Sequence, residues 1–136
     1  MNSLASALPR LFAAGILCLL PGVMHAADRY AVTDLGTLGG SFSFASNINA
    51  DGDVVGYSTI AQYEGYWTNA FLYDNGNIYN IGQYSKATDI NSQGKVVGTS
   101  FGQAFVYENG SISYLPIQAS ESVATGINDS GQIIGW

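Results

Sequence analysis

Between Tyr30 and Trp136 the apolar positions fall in short β-branched and aromatic runs, broken by Asn, Gly, Asp and Ser. The pattern returns. Ala45–Gly56 (ASNINADGDVVG), Ala87–Gly98 (ATDINSQGKVVG) and Ala124–Gly135 (ATGINDSGQIIG) align without a gap on A-x-x-I-N-x-x-G-x-(V/I)-(V/I)-G. A second block recurs as Ala70–Ile78 (AFLYDNGNI) and Ala104–Ile112 (AFVYENGSI), and a looser one as Leu35-Gly36, Ile81-Gly82 and Leu115-Pro116. Self-similarity of this kind marks a repeat architecture. The first block reads as strand–turn–strand, with Asn49, Asn91 and Asn128 opening the turn and Gly52, Gly94 and Gly131 closing it. In the second block Asn75-Gly76 and Asn109-Gly110 sit between aromatic-rich runs, the strongest short-range hairpin signal. Each unit is thus a four-stranded antiparallel meander. No apolar period of 3.6 survives the glycines, so the expected class is all-β.

The units are expected at about 44–82 and 86–115, with half a unit at 123–136 and an orphan strand at Tyr30–Leu35. A four-stranded unit of this size matches one blade of a β-propeller, which buries its faces by stacking on neighbours. So few strands make an open, partial propeller-like array rather than a closed ring. The expectation is a short or truncated member of a longer repeat family, with an unpaired edge at Gln132–Trp136 through which the chain self-associates.

Residues 1–26 follow a different pattern. A start carrying Arg10, a ten-residue apolar run from Leu11 to Leu20, the breakers Pro21-Gly22 and the exit to Ala26 form the pattern of a secretory signal peptide. The run is too short to span a bilayer, which needs about 20 apolar residues. Cleavage near Ala26 would remove this signal-peptide helix and release residues 27–136 as a secreted or periplasmic domain with no membrane span.

Composition narrows the chemistry. The only cysteine, Cys18, and the only histidine, His25, precede Ala26, so residues 27–136 offer no disulfide, thiolate nucleophile, imidazole base or Cys/His metal site. Those residues hold ten acidic side chains against Arg29, Lys86 and Lys95. The balance argues against nucleic acid, whose phosphates call for a basic patch. No cofactor is implied.

The blocks together, in order, resemble the bacterial extracellular HAF repeat family, in which the first block is followed by an Ala-Phe block and often by Leu-Gly-Thr-Leu-Gly-Gly-x-x-Ser. Leu35–Ser41 (LGTLGGS) is similar to that last element. The resemblance covers about Tyr30–Trp136 and implies a secreted or cell-surface repeat protein with a propeller-like sheet and no particular reaction. The histidine before Ala-Phe is replaced by Asn69 and Gln103, so no role of that histidine carries over.

Asn49–Asp53 alternates oxygen-bearing side chains around Gly52 in the manner of a calcium loop. The aligned copies put Lys95 and Gln132 at the place of Asp53, and what they share is Asn and Gly, the turn chemistry. No metal site is expected. Asn109 and Asn128 also begin formal glycosylation sequons, both inside turns. The first unit carries eight residues more than the second between its blocks, and these include Tyr63, Tyr66 and Trp67. Long surface loops carry function, and exposed aromatic faces suit stacking on sugars or on another protein. Tyr63, Tyr66 and Trp67 are therefore the candidate binding residues, with no catalytic set. The expected function is a secreted, non-catalytic β-repeat protein with a structural or interaction role at or outside the cell surface, its partner a glycan or a protein. The alternatives are a carbohydrate-binding or adhesion module using the aromatic loop, and a remnant of a propeller-type polysaccharide hydrolase or lyase.

Overall fold

The structure, a computed structural model, describes residues 30–61 and 67–136. The signal peptide expected over 1–26 lies outside the described residues, as do Tyr63 and Tyr66. The described part is all-β, with no helix among the described residues. Ten strands run in chain order: β1 (Gly39–Ile48), β2 (Val54–Ile60), β3 (Asn69–Asp74), β4 (Asn77–Gly82), β5 (Ser85–Ile90), β6 (Val96–Ser100), β7 (Gln103–Glu108), β8 (Ser111–Tyr114), β9 (Ala124–Ile127) and β10 (Ile133–Gly135). They form sheet 1 (β1-β2-β3-β4), sheet 2 (β5-β6-β7-β8) and sheet 3 (β9-β10), with each strand antiparallel to its neighbour in sequence.

Two boundaries differ from the sequence expectation. Residues Tyr30–Leu35 form no strand, because a strand exists only against a partner and the segment meets none; its neighbour Leu38 makes one isolated bridge, to Ile60. The first strand instead starts at Gly39, since β1 follows the long β2 out to the pair Gly39–Ile60.

The turns explain the repeated Asn and Gly. Asn75-Gly76 and Asn109-Gly110 have φ of 48° and 83°, and of 53° and 80°, the left-handed pair of a two-residue hairpin turn. Opposite Gly56, Gly98 and Gly135 the partner strand carries one extra residue, at Ser46, Thr88 and Thr125 respectively. This bulge pushes the carbonyls of Phe44, Lys86 and Val123 into the space where a Cβ of the facing glycine would lie.

The Val-Val doublet sets the stacking. Successive residues of a strand point to opposite faces, so Val96 and Val97 serve different cores. Val96 and Phe105 pack with Val55, Ala70 and Ile81 of sheet 1, together with Ala87 and Ile90 of their own sheet. Val97 and Ala104 pack on the other side with Ala124 and Ile127 of sheet 3. Sheet 2 is thereby buried on both faces. Full burial of Phe105 contributes about 2–3 kcal/mol.

Polar clamps fix each junction. The Ala70 N–H donates to Ser85 Oγ (2.9 Å) while the Ser85 N–H donates to Thr68 O (2.9 Å). One junction on, the Ala104 N–H donates to Ser122 Oγ (2.9 Å) and the Ser122 N–H to Gly102 O (2.9 Å). Every buried side-chain nitrogen and oxygen among the described residues has a hydrogen-bond partner.

Candidate functional site

A grouping of three exposed aromatic rings lies where sheets 1 and 2 meet. Trp67, at the end of the long β2–β3 loop, meets Tyr84 edge to face, with ring centroids 5.1 Å apart and planes at 88°. Tyr84, in the link from sheet 1 to sheet 2, meets Phe101 of the β6–β7 turn at 5.1 Å and 52°. Trp67 and Phe101 are 59% and 66% exposed. The three rings line a groove of about 400 Å³ with Thr68, Ser85, Lys86, Thr99 and Gly102. Among the described residues that line it there is no carboxylate or imidazole, and Lys86 is the one charged group.

The backbone holds these rings at some cost. Tyr84 and Phe101 both have left-handed φ, 47° and 51°. Phe101-Gly102 is a two-residue turn between the paired Ser100 and Gln103, a place where Asn-Gly is the relaxed choice. An aromatic residue in this region carries strain of about 1 kcal/mol or more, and such strain concentrates at functional sites. The surroundings enforce it. The Tyr84 N–H donates to Asn69 Oδ1 (3.1 Å), the Phe101 N–H donates to Tyr84 O (3.2 Å), and Ser100 Oγ donates to Gln83 O (3.1 Å). Asn69, immediately before the Ala-Phe pair, thus positions the central ring.

Lys86 joins the groove to a second aromatic group. Its Nζ lies 4.9 Å from the centroid of the Tyr57 ring, which stacks on Phe44 at 5.2 Å and 23° and lies 6.1 Å from Phe42. The aromatic surface therefore runs from sheet 1 over Lys86 into the groove.

The repeated asparagines form a different constellation. Asn49 Oδ1 accepts from the N–H groups of Asp51 and Asp53 (3.1 and 2.9 Å), Asn91 Oδ1 from Gln93 and Lys95 (3.1 and 2.9 Å), and Asn128 Oδ1 from Gln132 (2.9 Å). The closing Gly52, Gly94 and Gly131 have φ of 90°, 73° and 77°. Two of the amide nitrogens reach the next sheet: Asn49 Nδ2 donates to Asn91 O (3.3 Å) and Asn91 Nδ2 to Asn128 O (3.2 Å). Asp129 belongs to the same ladder, and its carboxylate is held below the ordinary value by the Ser92 N–H (2.9 Å) and then by the Ser92 hydroxyl. Within the calcium-like loop, Asp53 Oδ2 accepts from Asn49 Nδ2 (3.0 Å), and the aligned Lys95 pairs with Glu108 at 3.3 Å. No cluster of three His, Cys, Asp or Glu side chains occurs among the described residues.

Of the three candidate binding residues, the structure places Trp67 in the groove. The pattern reading missed Tyr84 and Phe101, which come from separate turns and share no sequence feature with Trp67. It also missed Ser85 and Ser122, although a signal existed: Ser43, Ser85 and Ser122 all stand two residues before the aligned alanine. No family model matches the chain, and comparisons with curated proteins and with solved structures return no match.

Proposed function

We propose that this is a secreted, non-catalytic β-repeat protein that binds a polysaccharide chain at or outside the cell surface through the Trp67–Tyr84–Phe101 groove. The observation that carries the reading is the row of three exposed rings at 5.1 Å intervals, two of them held in a left-handed backbone. Ring faces offer apolar area to the C–H faces of a sugar, while Thr68, Ser85, Thr99 and Lys86 offer hydrogen bonds to its hydroxyls. A described lining without carboxylate or imidazole suits binding better than turnover, since general acid–base work on a glycoside needs two placed carboxyl groups. The signal-peptide pattern of residues 1–26 supports export, and among the described residues no helix is long and apolar enough to cross a membrane.

The finer architecture belongs to the same proposal. Meander sheets packed face to face, each passing an Asn amide to the next, are what an open propeller-like array of HAF-type repeats would present.

The test is binding to a glycan array with three proteins: the parent, Trp67→Ala and Phe101→Ala. The parent should bind one or a few neutral or weakly acidic glycans, and each variant should lose on the order of tenfold or more in affinity, as removal of a central aromatic contact does. Equal binding by parent and variants would dismiss the groove as the site, and no binding by the parent would dismiss the glycan.

A further inference from the structure

One position is equivalent in the three copies and differs in charge. The residue before the aligned alanine is Phe44 in β1, Lys86 in β5 and Val123 just before β9. The hairpin therefore folds with an apolar side chain at this place, and the cation of the middle copy answers no need of the repeat. Cations are also few. The described residues hold two, Lys86 and Lys95. Lys95 is turned to Glu108 at 3.3 Å, whereas Lys86 is turned to aromatic rings.

Lys86 stands opposite Thr99 in the β5–β6 ladder, with its Nζ 4.9 Å from the centroid of the Tyr57 ring. A ring quadrupole attracts an ammonium ion but supplies no oxygen to its three N–H groups, so it holds the cation in place for an anionic partner. The same side chain lines the groove with Trp67, Tyr84 and Phe101. Apolar walls lower the local dielectric, and a charge between them is felt more strongly than at an open surface. Charge elsewhere limits the ligand. Residues 27–136 carry ten acidic side chains against Arg29, Lys86 and Lys95, and Glu121 Cγ lies 3.8 Å from where a Cβ on Gly102 would stand. A densely charged polyanion meets repulsion from that background, with one ammonium in the groove to offset it.

We propose that Lys86 sets the specificity of the groove: the bound polysaccharide carries an acidic sugar among neutral ones. Its carboxylate or sulfate sits on the Lys86 ammonium, and neutral sugars lie against Trp67, Tyr84 and Phe101. This rests on the groove being the polysaccharide site and names the class of chain it takes. Lysine is a point charge without the planar fork of arginine, so it reads the charge of the acid group rather than its shape.

A glycan array of matched pairs tests this. Uronate-containing and sulfated oligosaccharides of several backbones are each printed beside their neutral form, with carboxyls methyl-esterified or sulfates removed. The quantity read is the ratio of affinities within a pair. For the parent the acidic member should bind about fivefold tighter, the upper range for an ion pair open to solvent. Lys86→Met keeps an unbranched apolar stem over Tyr57 and removes the charge, so the ratio should fall below one as the acidic background acts alone. Lys86→Arg should hold it above one. Lys86 is exposed, so these variants keep the β-type circular dichroism of the parent; if Lys86→Met unfolds, Lys86→Gln answers the same question. Trp67→Ala should weaken both members of a pair, and acidic binding untouched by it overturns the proposal, since the ion pair would then form outside the groove. A parent that binds both members equally, or a ratio unchanged in Lys86→Met, overturns the role of Lys86 and leaves the groove as a glycan site. A parent that binds no glycan overturns both readings together. The ratio appearing in uronate or in sulfated pairs supports the proposal either way and identifies the acid group.

Discussion

Gly98 and Gly94 stand four residues apart in one repeat and are glycine for unrelated reasons. Gly94 closes a turn with φ of 73° in open space, whereas Gly98 faces the Thr88 bulge, where a Cβ would overlap the Lys86 carbonyl oxygen. Gly94→Ala should therefore cost about 1 kcal/mol of backbone strain. Gly98→Ala should cost about 3 kcal/mol, because the backbone of β5 must move and loosen the ladder. Urea unfolding of the two variants separates them, and equal losses would show that the bulge does not hold β5 against β6. The turn role of Gly94 is legible in the sequence, since Asn-x-x-Gly between extended runs leaves few other readings. The role of Gly98 is not, because a bulge changes the register without leaving a residue type to mark it. Phe101 hides for the opposite reason: an aromatic in a two-residue turn violates the usual turn chemistry, so the sequence points away from the hairpin it makes.

At the scale of single elements, the Asn hairpins do more than turn the chain. Asn91 fixes its own loop through two accepted N–H bonds and ties sheet 2 to sheet 3 through its amide, while the amide of Asn128 stays within its own hairpin. Asn91→Ala should accordingly destabilise the protein by about 1 kcal/mol more than Asn128→Ala, the worth of one further hydrogen bond between sheets. Chemical denaturation of the two variants measures that difference, and a difference of zero would mean that the Asn91–Asn128 contact contributes nothing. The hairpins themselves were readable, because alternation and Asn-Gly turns act locally. The segment Tyr30–Leu35 was not, since its composition suits a strand but whether it pairs depends on an edge elsewhere. Ser85 and Ser122 make the same point: their alignment was visible, while the N–H groups they receive belong to another sheet.

Across the whole molecule, stability rests on contacts between sheets, and one of these titrates. The Ser92 N–H and hydroxyl, in sheet 2's first hairpin, lower the pKa of Asp129 in sheet 3's hairpin. A carboxyl whose pKa is depressed on folding contributes its full stabilisation above its unfolded value and loses it as pH falls through the folded one. The tie should thus be intact at neutral pH and fail only on acidification below the ordinary carboxylate range, near pH 4. Carboxyl chemical shifts followed by NMR should place the Asp129 midpoint below that of the same residue in a short peptide, and Ser92→Ala should raise it; a midpoint unmoved by that substitution would remove this tie between the sheets. Such couplings could not be read beforehand, because Ser92 and Asp129 occupy equivalent places in different copies, and an alignment makes equivalents of residues that the fold makes partners.

The asparagine amides that cross between sheets all point toward higher residue numbers, which gives the stack an arrow. Copies of a module bound by such one-way handshakes cannot be reversed within the row, yet any module can follow any other. Lengthening by duplication is then simple for the gene, as each new copy arrives with its donor on one side and its acceptor on the other. Unequal spacers between copies, 42 and 37 residues from one isoleucine to the next, are the mark such growth leaves when only the loops are free to drift.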